Sequence, residues 1–330
     1  MIKYDHVAKT YSSVPVIRDV SFEINEGDLF VLVGPSGSGK TTLLKMFNRL
    51  TVPTEGNVYY QGKKIKDYDL QQLRLQTGYV LQDSSLFPNL NLQDNIAIQL
   101  EQQGVAKAKR HQRACELLRA VDMDPEKYAK RMPNELSGGE QQRVGIIRAL
   151  AAKPTVILMD EPFSALDPVV RRQLQDLVLK LQKQTKTTII FVTHDMHEAL
   201  RIGTKIAVLK DGVLQQVGTP QEIINQPATA FVKEFFHGHG FHFSLNAVLN
   251  DGLGKKTSTA SDDLPVVTAK KLEELFVFCR DHQAQQFVVQ ADDGQYIVKR
   301  QDVWDYLIRR EENRAELNCR NASRSAGCDY

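Results

Sequence analysis

The chain has no apolar run long enough to cross a bilayer. Its most hydrophobic stretches, TVILM from residue 155 and TTIIFVT from residue 187, fall well short of the roughly 20 residues a spanning helix needs. The N-terminus, MIKYDHVAKTYSS, has no apolar core of leader-peptide type. A role in transport would therefore need separate membrane subunits. Excess charge is lacking too. The net charge is +2 over 330 residues, so bulk electrostatics point neither to nucleic acid nor to an anionic membrane surface. Cysteine is scarce. Cys115, Cys279, Cys319 and Cys328 are scattered with no C-x-x-C pair, which reads as reduced thiols rather than a disulfide framework or a zinc site.

What remains is an ordinary globular composition, 42% hydrophobic and 25% charged. Residues 1–236 read as one α/β domain. Short β-rich runs (Asp28–Val33, Thr155–Asp160, Thr187–Thr193) alternate with helical patterns (Lys40–Leu50, Ser137–Ala152, Val169–Gln184). That alternation predicts a largely parallel, helix-covered sheet. Ile2–Val7 and Val16–Ile24 predict an antiparallel β-layer. Residues 237–264, rich in Gly, Ser and Thr, read as a linker. Residues 265–310 resume order as a small α+β module. In it a helix over Ala269–His282 precedes strands at Phe287–Val289 and Tyr296–Val298, turned by Asp293-Gly294, and a helix over Gln301–Arg310 follows. The polar tail, 311–330, reads as flexible and in part vector-derived. His237, His239 and His242 lie in the linker without acidic or Cys companions, a poor metal site.

The segment GPSGSGKTT joins an apolar strand, LFVLV, to a helical pattern. It supplies Gly34, Pro35, Ser36, Gly37, Ser38, Gly39, Lys40, Thr41 and Thr42 and fits the phosphate-binding loop G-x-x-x-x-G-K-[ST]. Its glycines let backbone N–H groups curl around phosphate oxygens, and the helix N-terminus adds partial positive charge. Lys40 is placed to reach the β- and γ-phosphates and Thr41 to ligate Mg²⁺. The bland alternative is a Gly-rich turn without ligand. Kinases and GTPases share this loop, so alone it says only that the chain is a P-loop protein acting on a nucleoside triphosphate.

TVILMDEP puts Asp160 at the carboxyl end of a buried strand, where open α/β sheets bind ligands, with Glu161 beside it. Asp160 suits Mg²⁺, directly or through water. Glu161 is then free to polarise an attacking water as general base. A plain strand-ending turn is the competing reading. Further along, LSGGEQQRVGIIRAL opens with Ser137, a natural N-cap, and Gly138-Gly139, which admits an anion to the backbone. One chain then carries two phosphate-binding surfaces. The simplest arrangement that uses both is a two-fold head-to-tail dimer, each nucleotide lying between one copy's loop and the other's LSGG segment.

With these motifs in this order, residues 1–236 resemble the ABC transporter ATPases, which implies a P-loop NTPase domain with a parallel-sheet core, an antiparallel β-layer and a helical subdomain. The resemblance implies further roles. Tyr11 in KTYSS matches the aromatic that stacks on adenine. Gln82 in GYVLQ matches the glutamine that links Mg²⁺ and the water to the membrane partner. Asp167 in SALD matches the acid facing the dimer interface. His194 in FVTHD matches the switch histidine at the γ-phosphate. Ser137, Gly138, Gly139 and Glu140 would contact the partner chain's ATP, although glutamine is common where Glu140 stands.

Phrases such as LLKMFNRL, GYVLQDSSLFPNLNLQDNIA and QPATAFVKEFF are similar to importers of glycine betaine, carnitine and choline. The 265–310 pattern resembles half of a CBS module pair, a sensor such ATPases carry, with a plain dimerisation or capping subdomain as the alternative. The resemblance implies a homodimer at the cytoplasmic face of the cell membrane. Its partners would be permease subunits and an extracytoplasmic solute-binding protein, with no nucleic acid. Import of another small amine or amino-acid-like solute, and a non-transport ATP switch, remain alternatives.

Overall fold

A computed structural model describes residues 1–164, 166–237, 245, 249, 253–257, 264–269, 272–291, 294–303 and 306. They form two compact units, divided between Val232 and Lys233.

The first unit opens with the antiparallel layer. Strands β1 (Ile2–Tyr11) and β2 (Val14–Ile24) pair, and β4 (Glu55–Tyr60) and β5 (Lys63–Lys64) extend the sheet in the order β2-β1-β4-β5. Between β2 and β4 the chain runs through β3 (Leu29–Val33) and α1 (Lys40–Phe47). Then come α2 (Leu70–Leu75), β6 (Thr77–Val80), and helices α3 (Leu92–Gln102), α4 (Lys107–Ala120), α5 (Pro125–Tyr128) and α6 (Gly138–Leu150). β7 (Val156–Asp160), α7 (Pro168–Thr185), β8 (Thr188–Thr193) and α8 (Met196–Ile202) follow. The unit closes with β9 (Lys205–Lys210), β10 (Val213–Gly218) and α9 (Pro220–Asn225). The second sheet has the order β10-β9-β3-β8-β7-β6, parallel except for the β9–β10 hairpin. The expected parallel core, antiparallel layer and helical portion are all present.

β3 and β8 are buried at every residue, which explains why they read as unbroken apolar runs. The two sheets share one core with α1. Tyr4, Phe22 and Phe30 stack in series, and the buried Tyr4 hydroxyl donates to the Leu43 carbonyl at 3.0 Å. A separate apolar cluster joins α3, α4 and α6 through Leu92, Ile96, Leu118, Val144 and Ile147. Burying each such side chain contributes about 1.5–3 kcal/mol.

The division between Val232 and Lys233 falls within α10 (Ala230–His237). Within the second unit a four-stranded sheet has the order β11-β14-β13-β12, formed by β11 (Lys255–Thr257), β12 (Val266–Thr268), β13 (Gln286–Ala291) and β14 (Gly294–Lys299). β12 and β13 are parallel, joined by α11 (Leu272–Asp281); the other pairs are antiparallel. Two details differ from the sequence reading. Lys255–Thr257, expected in the linker, pairs with β14. Gly294, expected in the turn, instead opens the return strand opposite Ala291. His239, His242 and the 311–330 tail lie outside the described residues, as does most of the expected helix after Gln301.

Candidate functional site

Three neighbouring strands, β3, β8 and β7, deliver the site from their carboxyl ends. Their register places Val33 beside Thr193 and Asp160 beside Val192. The residues that follow, Gly34, His194 and Glu161, therefore emerge together. The amide of Glu161 donates to the Val192 carbonyl at 3.0 Å, stitching the two strand ends.

The loop after β3 turns back over α1. Gly39 sits at φ +94°, in the left-handed region, and a Cβ there would collide with Ile17. A Cβ on Gly34 would strike the Leu209 carbonyl. These two positions require glycine for close packing as well as for the turn. Pro35, Ser36 and Gly37 are exposed, whereas Ser38 and Lys40 are buried and Thr41 and Thr42 half-buried. Lys40 Nζ donates to the carbonyls of Gly34 and Pro35 at 2.9 and 2.8 Å. Burial lowers its pKa, opposed by the Glu161 and Asp160 charges.

The acids divide their work. Thr41 donates its hydroxyl to Asp160 Oδ1 at 2.7 Å. Burial pushes the Asp160 carboxyl up, with the Thr41 hydrogen bond acting against it. Glu161 turns the other way, at φ +46°, and its Oε2 lies 2.9 Å from His194 Nδ1. The structure thus brings Lys40, Thr41, Asp160, Glu161 and His194 into one cluster.

The cluster fits a phosphate chain. The Ser38 hydroxyl is buried without a hydrogen-bond partner among the described residues, inside a loop where a Cβ on Gly34 or Gly39 would clash. It also fits a hard divalent cation, since the Thr41 hydroxyl and Asp160 carboxylate are oxygen ligands of the preferred kind. A cavity of about 440 Å³ among the described residues lies elsewhere, lined by Ile2, Tyr60, Arg113 and Lys153 among others. It shares no residue with the loop, and phosphate binding at a backbone cradle does not need a deep pocket.

The remaining expected residues lie on other parts of the surface. Tyr11, 45% exposed, stands on the tip of the β1–β2 hairpin with the Lys9 ammonium 4.8 Å from its ring centroid. Gln82 is exposed in the loop after β6. Ser137 caps α6, its backbone amide donating to Glu140 Oε2 at 2.8 Å, and Tyr128 donates to Glu140 Oε1 at 2.7 Å. These bonds, the Ser137 backbone one first, hold the Glu140 carboxyl below its ordinary value. A Cβ on Gly138 would meet open space, whereas one on Gly139 would press on Val170 Cγ1 at 2.6 Å. Asp167 Oδ1 accepts from the amides of Val169 and Val170, capping α7.

Sequence reasoning missed the residues that hold this machinery. Arg148 on α6 donates to the carbonyls of Ser84 and Ser85 at 3.1 and 2.8 Å, and burial lowers its pKa. Ser84 Oγ donates to Gln141 at 3.0 Å. The buried Asn95 side chain accepts from the Phe87 amide and donates to the Phe87, Leu90 and Asn91 carbonyls. Helix α6 therefore grips the loop after β6 from within. Leu86 packs into the helical cluster, while Phe87 and Pro88 stay exposed.

Comparison with known proteins agrees with this geometry. A family model described as ABC transporter matches residues 17–164. The osmoprotectant import ATP-binding protein OsmV of Salmonella typhimurium is 40% identical over 312 residues, covering 92% of this chain and 80% of that protein. The glycine betaine/carnitine/choline transport ATP-binding protein OpuCA of Bacillus subtilis is 47% identical over 71% of this chain, which spans 62% of that relative's length. Among solved structures, the ATP-binding cassette MJ0796, a dimer in a post-hydrolysis state bound to ADP and Pi, matches with a TM-score of 0.61 at 36% identity. That match covers 67% of this chain and 99% of the cassette. CbiO1 of Clostridium perfringens, part of the cbiONQ transporter complex, matches with a TM-score of 0.63 at 26% identity, over 69% of this chain and 91% of its own. The chain belongs to the ABC transporter ATP-binding proteins, in the family of osmoprotectant importers.

Proposed function

We propose that the chain is the ATP-hydrolysing subunit of an importer for glycine betaine, carnitine or choline-type solutes. The observation that carries the reading is the convergence of Lys40, Thr41, Asp160, Glu161 and His194 at the carboxyl ends of three adjacent strands. Lys40 exchanges its two carbonyl partners for the β- and γ-phosphates of ATP, and Ser38 Oγ gains the acceptor it lacks. Tyr11 offers a ring face to adenine. Thr41, Asp160 and Gln82 would hold Mg²⁺, which when bound would neutralise charge on the phosphoryl oxygens. Glu161 takes a proton from the attacking water, and His194, hydrogen-bonded to it, faces the γ-phosphate.

Two copies pair head to tail, so that Ser137, Gly138, Gly139 and Glu140 of one close over the nucleotide of the other, with Asp167 at the interface. A short helix of a separate permease docks on the exposed Phe87–Pro88 surface, in helix-in-groove fashion. The dimer works at the cytoplasmic face of the membrane, and an extracytoplasmic protein delivers the solute. No helix among the described residues is long and apolar enough to cross a membrane. The β12–α11–β13–β14 order supports reading the second unit as a CBS-like regulatory or dimerisation module.

The test is ATPase activity of the full chain reconstituted with its permease in vesicles, with and without each of the three solutes. Stimulation of several-fold by one of them is expected. Hydrolysis indifferent to all three contradicts the solute class, and no hydrolysis contradicts the enzyme.

A further inference from the structure

Tyr79 stands on β6, beside the end of β7 that carries the acids. The register pairs Tyr79 with Leu158 and Val80 with Met159. Side chains alternate along a strand, so Asp160, two residues beyond Leu158, lies on the face that Tyr79 shares. The ring packs against the core cluster under α1. The hydroxyl has no such explanation. It is buried without a hydrogen bond of good geometry among the described residues, a costly condition for an O–H group, and the polar side chain it interacts with is the Asp160 carboxylate. Phenylalanine would fill the same apolar space without that cost. Burial first, and then the Asp160 carboxylate beside it, hold the Tyr79 phenol above the ordinary tyrosine range. The Thr41 hydroxyl occupies Asp160 Oδ1, and that bond does not use Oδ2.

We propose that Tyr79 is a positioning residue: its hydroxyl donates to the Asp160 carboxylate from the neighbouring strand and fixes that carboxylate in the orientation in which it holds a divalent cation. This rests on the reading of Asp160 as a cation-holding residue. A phenol suits the task. It is neutral at physiological pH, so it orders the carboxylate without competing for the cation as a lysine would. Partners of this kind, behind a metal's own ligands, set the ligand's orientation and hence the metal's affinity.

The test is a pair of titrations on the full chain with a fluorescent ATP analogue, one in chelator and one against Mn²⁺. Tyr79→Phe is expected to melt close to the parent temperature, because phenylalanine fills the same apolar space. Nucleotide affinity in chelator should be unchanged, while the apparent Kd for Mn²⁺ rises about tenfold. Tyr79→Met, apolar and without a donor, should lose the same Mn²⁺ affinity at whatever Tm it shows, which separates loss of the donor from loss of packing. In an Asp160→Asn background, Tyr79→Phe should add no further change. Mn²⁺ affinity within twofold of the parent in both Tyr79 variants, with Asp160→Asn alone weakened, overturns the proposal and leaves the Asp160 reading intact. Asp160→Asn with undiminished Mn²⁺ affinity overturns both.

Discussion

Glu161 and His194 form one hydrogen-bonded pair, with Nδ1 2.9 Å from Oε2. The pairing depends on a backbone turn. Asp160 ends β7 facing Thr41, and Glu161, at φ +46°, swings its carboxylate across to β8. Two adjacent acids thereby take different partners, Asp160 the Thr41 hydroxyl and Glu161 the His194 ring.

Glu161→Gln keeps the size of the side chain and a hydrogen-bonding partner for His194 but removes the base. ATP binding should survive, and turnover should fall about 10²-fold or more. Single-turnover hydrolysis checks this; near-parental rates remove Glu161 from the chemistry.

The adjacent glycines of the LSGG segment should respond differently. Gly139→Ala presses a methyl on Val170 and should lower stability by about 1–2 kcal/mol through overpacking. Gly138→Ala meets nothing in its own chain, so its melting temperature should be unchanged. If a second copy's nucleotide docks there, hydrolysis should nevertheless drop in Gly138→Ala. Thermal melts and ATPase assays on the two variants separate packing from docking. Full activity in Gly138→Ala speaks against a shared site.

Phe87 is exposed with the Arg148 guanidinium 6.0 Å from its ring centroid. Phe87→Asp should spare ATP hydrolysis by the isolated chain and abolish solute uptake by the reconstituted complex. Arg148→Met should act on both, because it frees the Ser84 and Ser85 carbonyls and unfastens the loop. Its stability should fall by about 1–3 kcal/mol, the cost of lost buried hydrogen bonds. Paired ATPase and uptake measurements distinguish the two outcomes, and uptake undiminished in Phe87→Asp contradicts docking there.

Glu198 lies buried behind the histidine loop. It accepts from Thr193 Oγ1 at 2.7 Å and from Gln175 at 3.3 Å. Burial, then the Asp195 charge, push its carboxyl from the ordinary 4.5 up to about 7, with Thr193, Arg171 and Gln175 acting against the shift. The folded state therefore holds this proton more tightly than the unfolded state. Stability is undiminished below the ordinary value and declines as pH rises through it towards 7. Glu198→Gln removes the titration. Its stability relative to the parent should rise between pH 5 and pH 8 by about 2–3 kcal/mol. Denaturant melts across that range check the slope; a flat difference contradicts the raised value.

Much of the site was legible because its chemistry constrains single letters. Gly34, Gly39, Lys40 and Thr41 are fixed by what a backbone cradle and a buried loop allow, and Asp160 and Glu161 follow an unbroken apolar strand. The elements missed by sequence lack such contrast. β4 begins with the polar Glu55-Gly56-Asn57, and α4 buries only Ala114, Leu117 and Leu118 among its fourteen residues. The β9–β10 hairpin carried a usable signal in Asp211-Gly212, both at positive φ. Asn95, Arg148 and Glu198 carried none. Their partners are loop carbonyls or buried side chains, in the case of Arg148 more than sixty residues away, and no local pattern announces a buried polar hub of that kind.

In the proposed mechanism two copies share each ATP. Light scattering of the Glu161→Gln chain, with and without Mg-ATP, tests it most directly. A monomer of 37.3 kDa is expected without nucleotide and a dimer with it. Adding Ser137→Arg should return the chain to a monomer that still binds ATP. A chain that stays monomeric at saturating Mg-ATP, or a dimer indifferent to Ser137→Arg, would contradict the shared site.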